Sequence, residues 1–207
     1  MVYIDKGVEP HSLVEFREST PYASYDGMPT DVKDDIRNNL NIEQGYICAY
    51  CMARIHPDTT TIEHFLPQSV DSSRDLEYCN MLGVCLGNEW GPFRMQTCGC
   101  HRMNKLLTIN PHVRTYFDTI NYAPNGLILS TVSAINDDIN KALNLNISYL
   151  VRNRKAALDT LKKELLNRRA TGTWKSLAEK YIVKLNGDNE KKPYYGILLW
   201  YLRLKAR

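Results

Sequence analysis

Residues 46–51 read Tyr46-Ile47-Cys48-Ala49-Tyr50-Cys51; residues 98–101 read Cys98-Gly99-Cys100-His101, and Cys85 stands between them. Two thiols separated by two residues form a knuckle whose turn lets both sulfurs face one Zn²⁺. Cys85 and Cys100 complete a four-thiolate set around a long inserted loop, residues 86–99. Cys98 is the rival fourth ligand, and Cys79 reads as a buried thiol. A CxxC pair also serves redox chemistry, but no thioredoxin-like βαβ pattern surrounds this one. The stretch 46–110 holds all six cysteines, and its apolar pieces are broken by Pro57, Pro67, Gly83, Gly87 and Gly91. Core burial alone holds such a segment poorly, so a metal staple is expected.

Between the cysteines lies Thr61-Ile62-Glu63-His64-Phe65-Leu66-Pro67. In a regular strand, adjacent Glu63 and His64 point to opposite faces. A strand that ends or bulges there aims both at one centre. A carboxylate is a hard ligand for Mg²⁺ or Mn²⁺, and a neutral imidazole removes a proton from water near pH 7. Asn80 follows sixteen residues after His64, five before Cys85. His101 opens an expected basic helix, His101-Arg102-Met103-Asn104-Lys105-Leu106-Leu107.

Outside this stretch the chain is simpler. Residues 1–27 are mixed and are expected to form an irregular arm with one helical turn at most. Thr30 is placed to cap a helix in which Val32, Ile36 and Leu40 share one face, and Gly45 ends it. Asn125-Gly126 leads into an expected short strand, Leu127-Ile128-Leu129. From Asn136 the pattern turns helical. Ile147, Leu150, Leu158, Leu161 and Leu165 form a stripe that Arg154 interrupts. Thr171-Gly172 breaks that helix, Trp174, Leu177, Ala178, Tyr181 and Ile182 mark another, and Asn186-Gly187-Asp188 is a turn. Residues 194–204 close with a short apolar helix.

Hydrophobic residues at 43% and charged residues at 24% argue against a mostly disordered chain of 207 residues. The net charge of +3 conceals a division. Residues 1–150 carry 11 Lys/Arg against 18 Asp/Glu, and residues 151–207 carry 15 against 5. The basic third suits a polyanion or an acidic partner surface. Residues 1–6 lack a basic region followed by an apolar run, and Ile197–Leu202 is too short to span a bilayer. No secretory leader and no membrane association are expected, and a bacterial cytoplasmic location is.

The order CxxC, Glu-His with a nearby Pro, Asn five residues before a Cys, then Cys-His and a basic helix resembles the HNH endonucleases. Ile4–Pro10, Glu43–Cys51, Ile62–Ser69 and Val84–Asn88 resemble the PtuB subfamily of antiphage defence nucleases, found in Septu systems and certain retrons. The resemblance covers roughly residues 1–110. It implies an α+β, predominantly helical fold with a small zinc-stapled ββα-metal core at 46–110, after an N-terminal arm and helix (1–45) and before a basic helical region (111–207). It implies hydrolysis of phosphodiester bonds, in DNA first and tRNA as the alternative. His64 matches the general base, Glu63 and His101 the ligands of Mg²⁺ or Mn²⁺, and Asn80 the residue that holds the loop. The structural zinc falls to Cys48, Cys51, Cys85 and Cys100. The family commonly places Lys four residues after the last cysteine, where this chain has Asn104 and then Lys105, so Asn104 rivals His101. The implied partners are a PtuA-like ATPase, the nucleic acid substrate and, in the retron branch, a reverse transcriptase with its DNA. Arg102, Lys105, Arg152, Lys155, Lys162 and Lys163 are the candidate phosphate contacts. A zinc-stabilised module that bridges nucleic acid and partner without cutting is the alternative.

Overall fold

The computed structural model describes residues 1–168 and 173–207. The expected break at Thr171-Gly172 lies outside them. About half the chain is helical, with two small antiparallel sheets. Strand β1 (Thr60–His64) pairs with β2 (Met81–Cys85), with Thr60 opposite Cys85 and His64 opposite Met81. Strand β3 (Ile120–Tyr122) pairs with β4 (Ile128–Ser130). The strand expected at 127–129 is thus one residue later, and its partner β3 carried too short a pattern to be read.

Helix α1 (His11–Ser19) corrects the expectation of an irregular arm: Leu13 and Phe16, one turn apart, are both buried. Helix α2 (Thr30–Glu43) buries Val32, Ile36 and Leu40 on one face as their spacing requires. Thr30 is its first helical residue rather than its cap, and Pro29 holds the cap position with no side-chain acceptor. Gly45 ends the run at φ +63°, where a Cβ would lie 2.4 Å from Lys191 Cγ.

Helix α3 (Cys98–Arg102) is a single short helix, followed by α4 (Ser133–Asp137), which runs into a π-helical turn (Asp138–Ala142). Then come α5 (Ser148–Asn167), α6 (Trp174–Gly187) and α7 (Tyr195–Ala206), with α7 packed chiefly on α6. The expected turn at 186–188 is the end of α6, capped by Asp188. Arg154 does not break the α5 stripe. It lies in it, 1% exposed, donating from Nε to Gly126 O (2.6 Å) and from Nη2 to Leu145 O (2.8 Å) and Asn146 Oδ1 (3.1 Å). A buried guanidinium is tolerable here because two backbone carbonyls and a side-chain oxygen accept from it.

Two cores meet at the first hairpin. The larger one joins the cysteines, Leu82 and Val84 to α5, α6 and α7; the smaller one packs α1 and α2 against Ile62, Leu76, Tyr78 and Met81. The hairpin therefore lies between them, with its His64 end beside α1 and α2 and its Cys85 end beside the cysteines. No described helix is long and apolar enough to cross a membrane.

Candidate metal centre and the Glu63–His64 strand end

Four sulfurs converge at the Cys85 end of the hairpin: those of Cys48, Cys51, Cys85 and Cys98, all within 4.8 Å of one another. Cys48 and Cys98 are separated by 3.8 Å, Cys51 and Cys85 by 3.7 Å, and Cys85 and Cys98 by 3.7 Å. A tetrahedral zinc with Zn–S bonds of about 2.3 Å requires S···S edges of about 3.8 Å. The donor set thus fits zinc in type and size. The knuckle is shaped by Met52 at φ +62° and by the Ala53 amide, which donates to Cys51 Sγ at 3.4 Å. Burial alone raises the Cys48 thiol, but hydrogen bonding with the sulfurs of Cys51, Cys85 and Cys98 holds it well below the usual range. Cys51 and Cys98 are pushed up by that same sharing with Cys48.

Cys98, not Cys100, is the fourth member. Cys98 opens α3 at φ +57°, and its amide donates to Leu143 O at 3.0 Å, which turns its sulfur inward. Two residues later on a helix is a rotation of about 200°, so Cys100 faces the other way. Its thiol donates to Leu86 O at 3.1 Å. Cys79, expected to be buried, is exposed.

The other end of the hairpin carries the Glu-His pair. Strand β1 continues regularly through both residues, with no bulge, and they face opposite sides. The Glu63 side contacts α3: Arg102 Nη1 donates to Glu63 Oε1 at 2.6 Å, and Tyr50 OH lies 3.4 Å from the same oxygen. Burial pushes the Glu63 carboxyl above the usual carboxylate range, and the guanidinium offsets this only in part. The second oxygen, Oε2, rests against Gly99, where a Cβ would stand 2.7 Å away. Any side chain at 99 displaces the carboxylate.

Arg102 was expected to meet phosphate. Instead it is 0% exposed, and its remaining donors reach Tyr50 OH, His64 O, Phe65 O and Lys105 O. It ties α3 to the end of β1. The basic helix expected over 101–107 stops at Arg102, because Met103 turns left-handed at φ +53°. Asn104 is exposed, with no side-chain hydrogen bond among the described residues.

His64 faces the segment between α1 and α2 and the 65–79 loop. Its Nε2 lies 2.8 Å from Asp75 O, and Tyr25 meets its ring edge-on at 4.7 Å. A carbonyl only accepts, so Nε2 carries the proton and Nδ1 keeps its lone pair. Burial lowers the imidazole below its ordinary value, so the neutral form prevails at neutral pH. Nδ1 has no hydrogen-bond partner among the described residues. Ser12 Oγ, Asn41 Nδ2 and His112 Nε2 are sealed and unpaired, whereas Nδ1 of His64 is not fully sealed.

Asn80 sets up that bond. Its Oδ1 accepts from Leu66 N at 2.7 Å, and its Nδ2 donates to Leu66 O (3.1 Å) and Arg74 O (3.2 Å). The 65–79 loop is closed at both ends, and Asp75 is held next to the pinned Arg74 carbonyl. Asn80→Ala leaves the part-buried Leu66 N and O without these bonds, while Arg74 O keeps Glu77 N, so we expect a loss on the order of 2 kcal/mol in urea unfolding. A loss under about 0.5 kcal/mol would show that the loop closes without it.

His101 donates from Nδ1 to Ala142 O at 2.9 Å, and Phe93 covers its ring at 4.5 Å and 16°. Its Nε2 keeps a lone pair. A backbone carbonyl on one ring nitrogen is the usual support of a histidine that ligates through the other. Glu63 Oε2 and His101 Nε2 are thus the free donors of the expected pair. Among the described residues neither belongs to a group of three or more His, Cys, Asp or Glu donors that could hold a metal ion.

Of the other expected phosphate contacts, Arg152 and Lys163 are exposed, Lys155 pairs with Asp159 at 2.5 Å, and Lys162 lies 5.3 Å over the Tyr201 ring. Lys105 is exposed and donates to Lys141 O at 3.3 Å. Asp75, Tyr25 and Tyr50 were missed at the sequence level. Asp75 acts through its backbone carbonyl, for which no side-chain signal exists. No family model matches the chain, and no curated protein matches it.

Proposed function

We propose that the chain is a metal-dependent endonuclease of the HNH type, hydrolysing phosphodiester bonds of a nucleic acid as the effector of a PtuA–PtuB-like defence complex. The observation that carries this reading is the His64 bond to Asp75 O. A buried imidazole locked in one tautomer, neutral, with the free nitrogen not fully sealed, is what a general base for water needs.

In the proposed step, Nδ1 of His64 takes a proton from water and the hydroxide oxygen attacks phosphorus. The bond to the leaving oxygen breaks, and that oxygen takes a proton from solvent. Asn80 holds the loop whose carbonyl orients the ring. Tyr50 and Arg102 fix the Glu63 carboxylate, and Gly99 leaves room for it. Glu63 Oε2 and His101 Nε2 would hold Mg²⁺ or Mn²⁺, which supplies stabilisation of charge on the phosphate and the leaving oxygen. The four-cysteine zinc is structural in this reading, since a Cys₄ shell leaves no open position.

The second reading is a zinc-stabilised module that bridges nucleic acid and a partner without cutting. The Arg102–Glu63 contact favours it, because the carboxylate already has a cation. Incubating the zinc-loaded chain and its ATPase with duplex DNA, single-stranded DNA and total tRNA, with and without Mg²⁺, separates the two. Mg²⁺-dependent cutting lost in His64→Ala supports the nuclease; binding with no cutting of any substrate supports the module.

A further inference from the structure

The loop from Leu86 to Thr97 joins two members of the cysteine cluster, and it is built in an unusual way. Its backbone is pinned throughout. Thr97 N donates to Gly87 O at 2.8 Å, and Gln96 Nε2 donates to Glu89 O and Gly91 O at 3.0 and 3.1 Å. Asn88 Nδ2 reaches Met95 O at 3.3 Å, and Asn144 Nδ2 holds Arg94 O and Gln96 O from outside at 3.2 and 2.9 Å. Gly87, at φ +59°, lets the chain close: a Cβ there would fall 2.1 Å from Thr97 O. On this fixed frame stand three exposed side chains. Trp90 is 93% exposed and Phe93 is 50% exposed. Arg94 is exposed, with no side-chain hydrogen bond or ion pair among the described residues.

We propose that this loop is a stacking platform for unpaired bases of a single-stranded nucleic acid, with Trp90 and Phe93 as the base-contacting rings and Arg94 as a phosphate contact. The proposal rests on the nuclease reading and names the form of its substrate. Three observations carry it. Phe93 already lies flat on His101, 16° from parallel, so a ring stack is present that a base extends. The free guanidinium beside Phe93 supplies a charge that suits phosphate and that a purely apolar partner would leave unpaired. Finally, Phe93 lies two contacts from the proposed base: it covers His101, and the next residue, Arg102, donates to His64 O at 3.1 Å. Aromatic rings beside a cation recognise single strands without regard to sequence, because every base has a π-face. A duplex offers no such face away from its ends.

The test uses the full zinc-loaded chain carrying His64→Ala, so that binding is read without cutting. A fluorescein-labelled 20-nucleotide DNA of mixed sequence is titrated by anisotropy, as single strand and as duplex. Adding Trp90→Ala is expected to weaken single-strand binding roughly 5- to 100-fold, the size of one lost base stack, and duplex binding less than twofold. Trp90→Phe is expected to recover most of the loss, and Arg94→Ala to reduce the salt dependence of binding. Because Trp90 is exposed, melting temperature and zinc content should not change. Equal loss on strand and duplex, or no loss on the strand, overturns the proposal. So does an unchanged strand affinity accompanied by lost pull-down of a PtuA-type ATPase, which would make the loop a protein contact. Cutting of duplex DNA by the chain with native His64 would leave the nuclease reading intact in each of these cases. Trp90-dependent strand binding with no cutting would remove the nuclease and keep the platform.

Discussion

Cys98→Ser is expected to release zinc and unfold the region around the cysteines, whereas Cys100→Ser is expected to do neither. The size of the difference follows from what each thiol holds. The Cys98 sulfur closes a four-sulfur set whose other members include Cys48 and Cys51, 0% and 1% exposed, in a core with Ile47, Leu82, Val84 and Leu143. Zinc bound to four thiolates contributes on the order of 10 kcal/mol in small domains that fold around it, comparable with the whole stability of an ordinary domain. Hydroxyl is a poor zinc ligand, and a three-thiolate remainder leaves the buried Cys48 and Cys51 and the half-buried Cys85 with charge to disperse. Cys100 donates one weak bond to Leu86 O, which a serine hydroxyl replaces. Zinc per chain by mass spectrometry of the metal, and thermal unfolding by circular dichroism, read both variants. The expected result is about one zinc per chain for Cys100→Ser with a melting shift under a few degrees. Cys98→Ser is expected to carry well under one zinc and to melt more than 10 °C lower. The reverse pattern would move the fourth ligand to Cys100 and would require α3 to be turned about its axis.

His64→Ala is expected to lower cutting by roughly 10²- to 10⁴-fold, the range of a lost general base, with zinc retained. The ring also has a structural share, since it donates to Asp75 O and meets Tyr25 edge-on. Alanine therefore removes packing as well as the base, at an expected cost of about 1–3 kcal/mol. His64→Gln separates the two effects: its amide can donate toward Asp75 O but has no basic nitrogen. A glutamine variant that melts near the native temperature, holds one zinc and does not cut is the outcome expected of a base. Cutting by His64→Gln within threefold of the native rate would leave His64 a structural residue. Tyr50→Phe gives a control at the same strand end. It removes a 3.4 Å contact to Glu63 Oε1 but leaves the Arg102 bond of 2.6 Å, so its effect on cutting should be far smaller.

The parts legible in the sequence are those that depend on spacing along one element. Val32, Ile36 and Leu40 face the core because they recur every four residues, and the CxxC knuckle holds two sulfurs together because four residues suffice to make its turn. Asn80 was readable as a loop-holding residue from the family resemblance, and its three backbone bonds fit that role. The α1 segment was misread because a nine-residue helix with two buried positions gives too little periodicity to stand out among polar neighbours.

What spacing did not settle was every choice that depends on a residue far away in the chain. Cys98 and Cys100 are chemically equal and two positions apart. The choice falls on Cys98 because Leu143 O holds its amide and a positive φ turns its sulfur inward. Arg102 looks like any cation on a short helix until packing places carbonyls of β1 and the Glu63 carboxylate around it, 38 and 39 residues back in the chain. The histidine tautomer depends on a backbone carbonyl, a group that every residue carries and no residue type announces. The sequence alone therefore determined the chemistry on offer: four thiols for a metal, a carboxylate beside an imidazole, and a basic last third. Tertiary structure decided which of those groups meet, because a short-range pattern sets where a side chain points from its own element, and only long-range packing sets what lies opposite it.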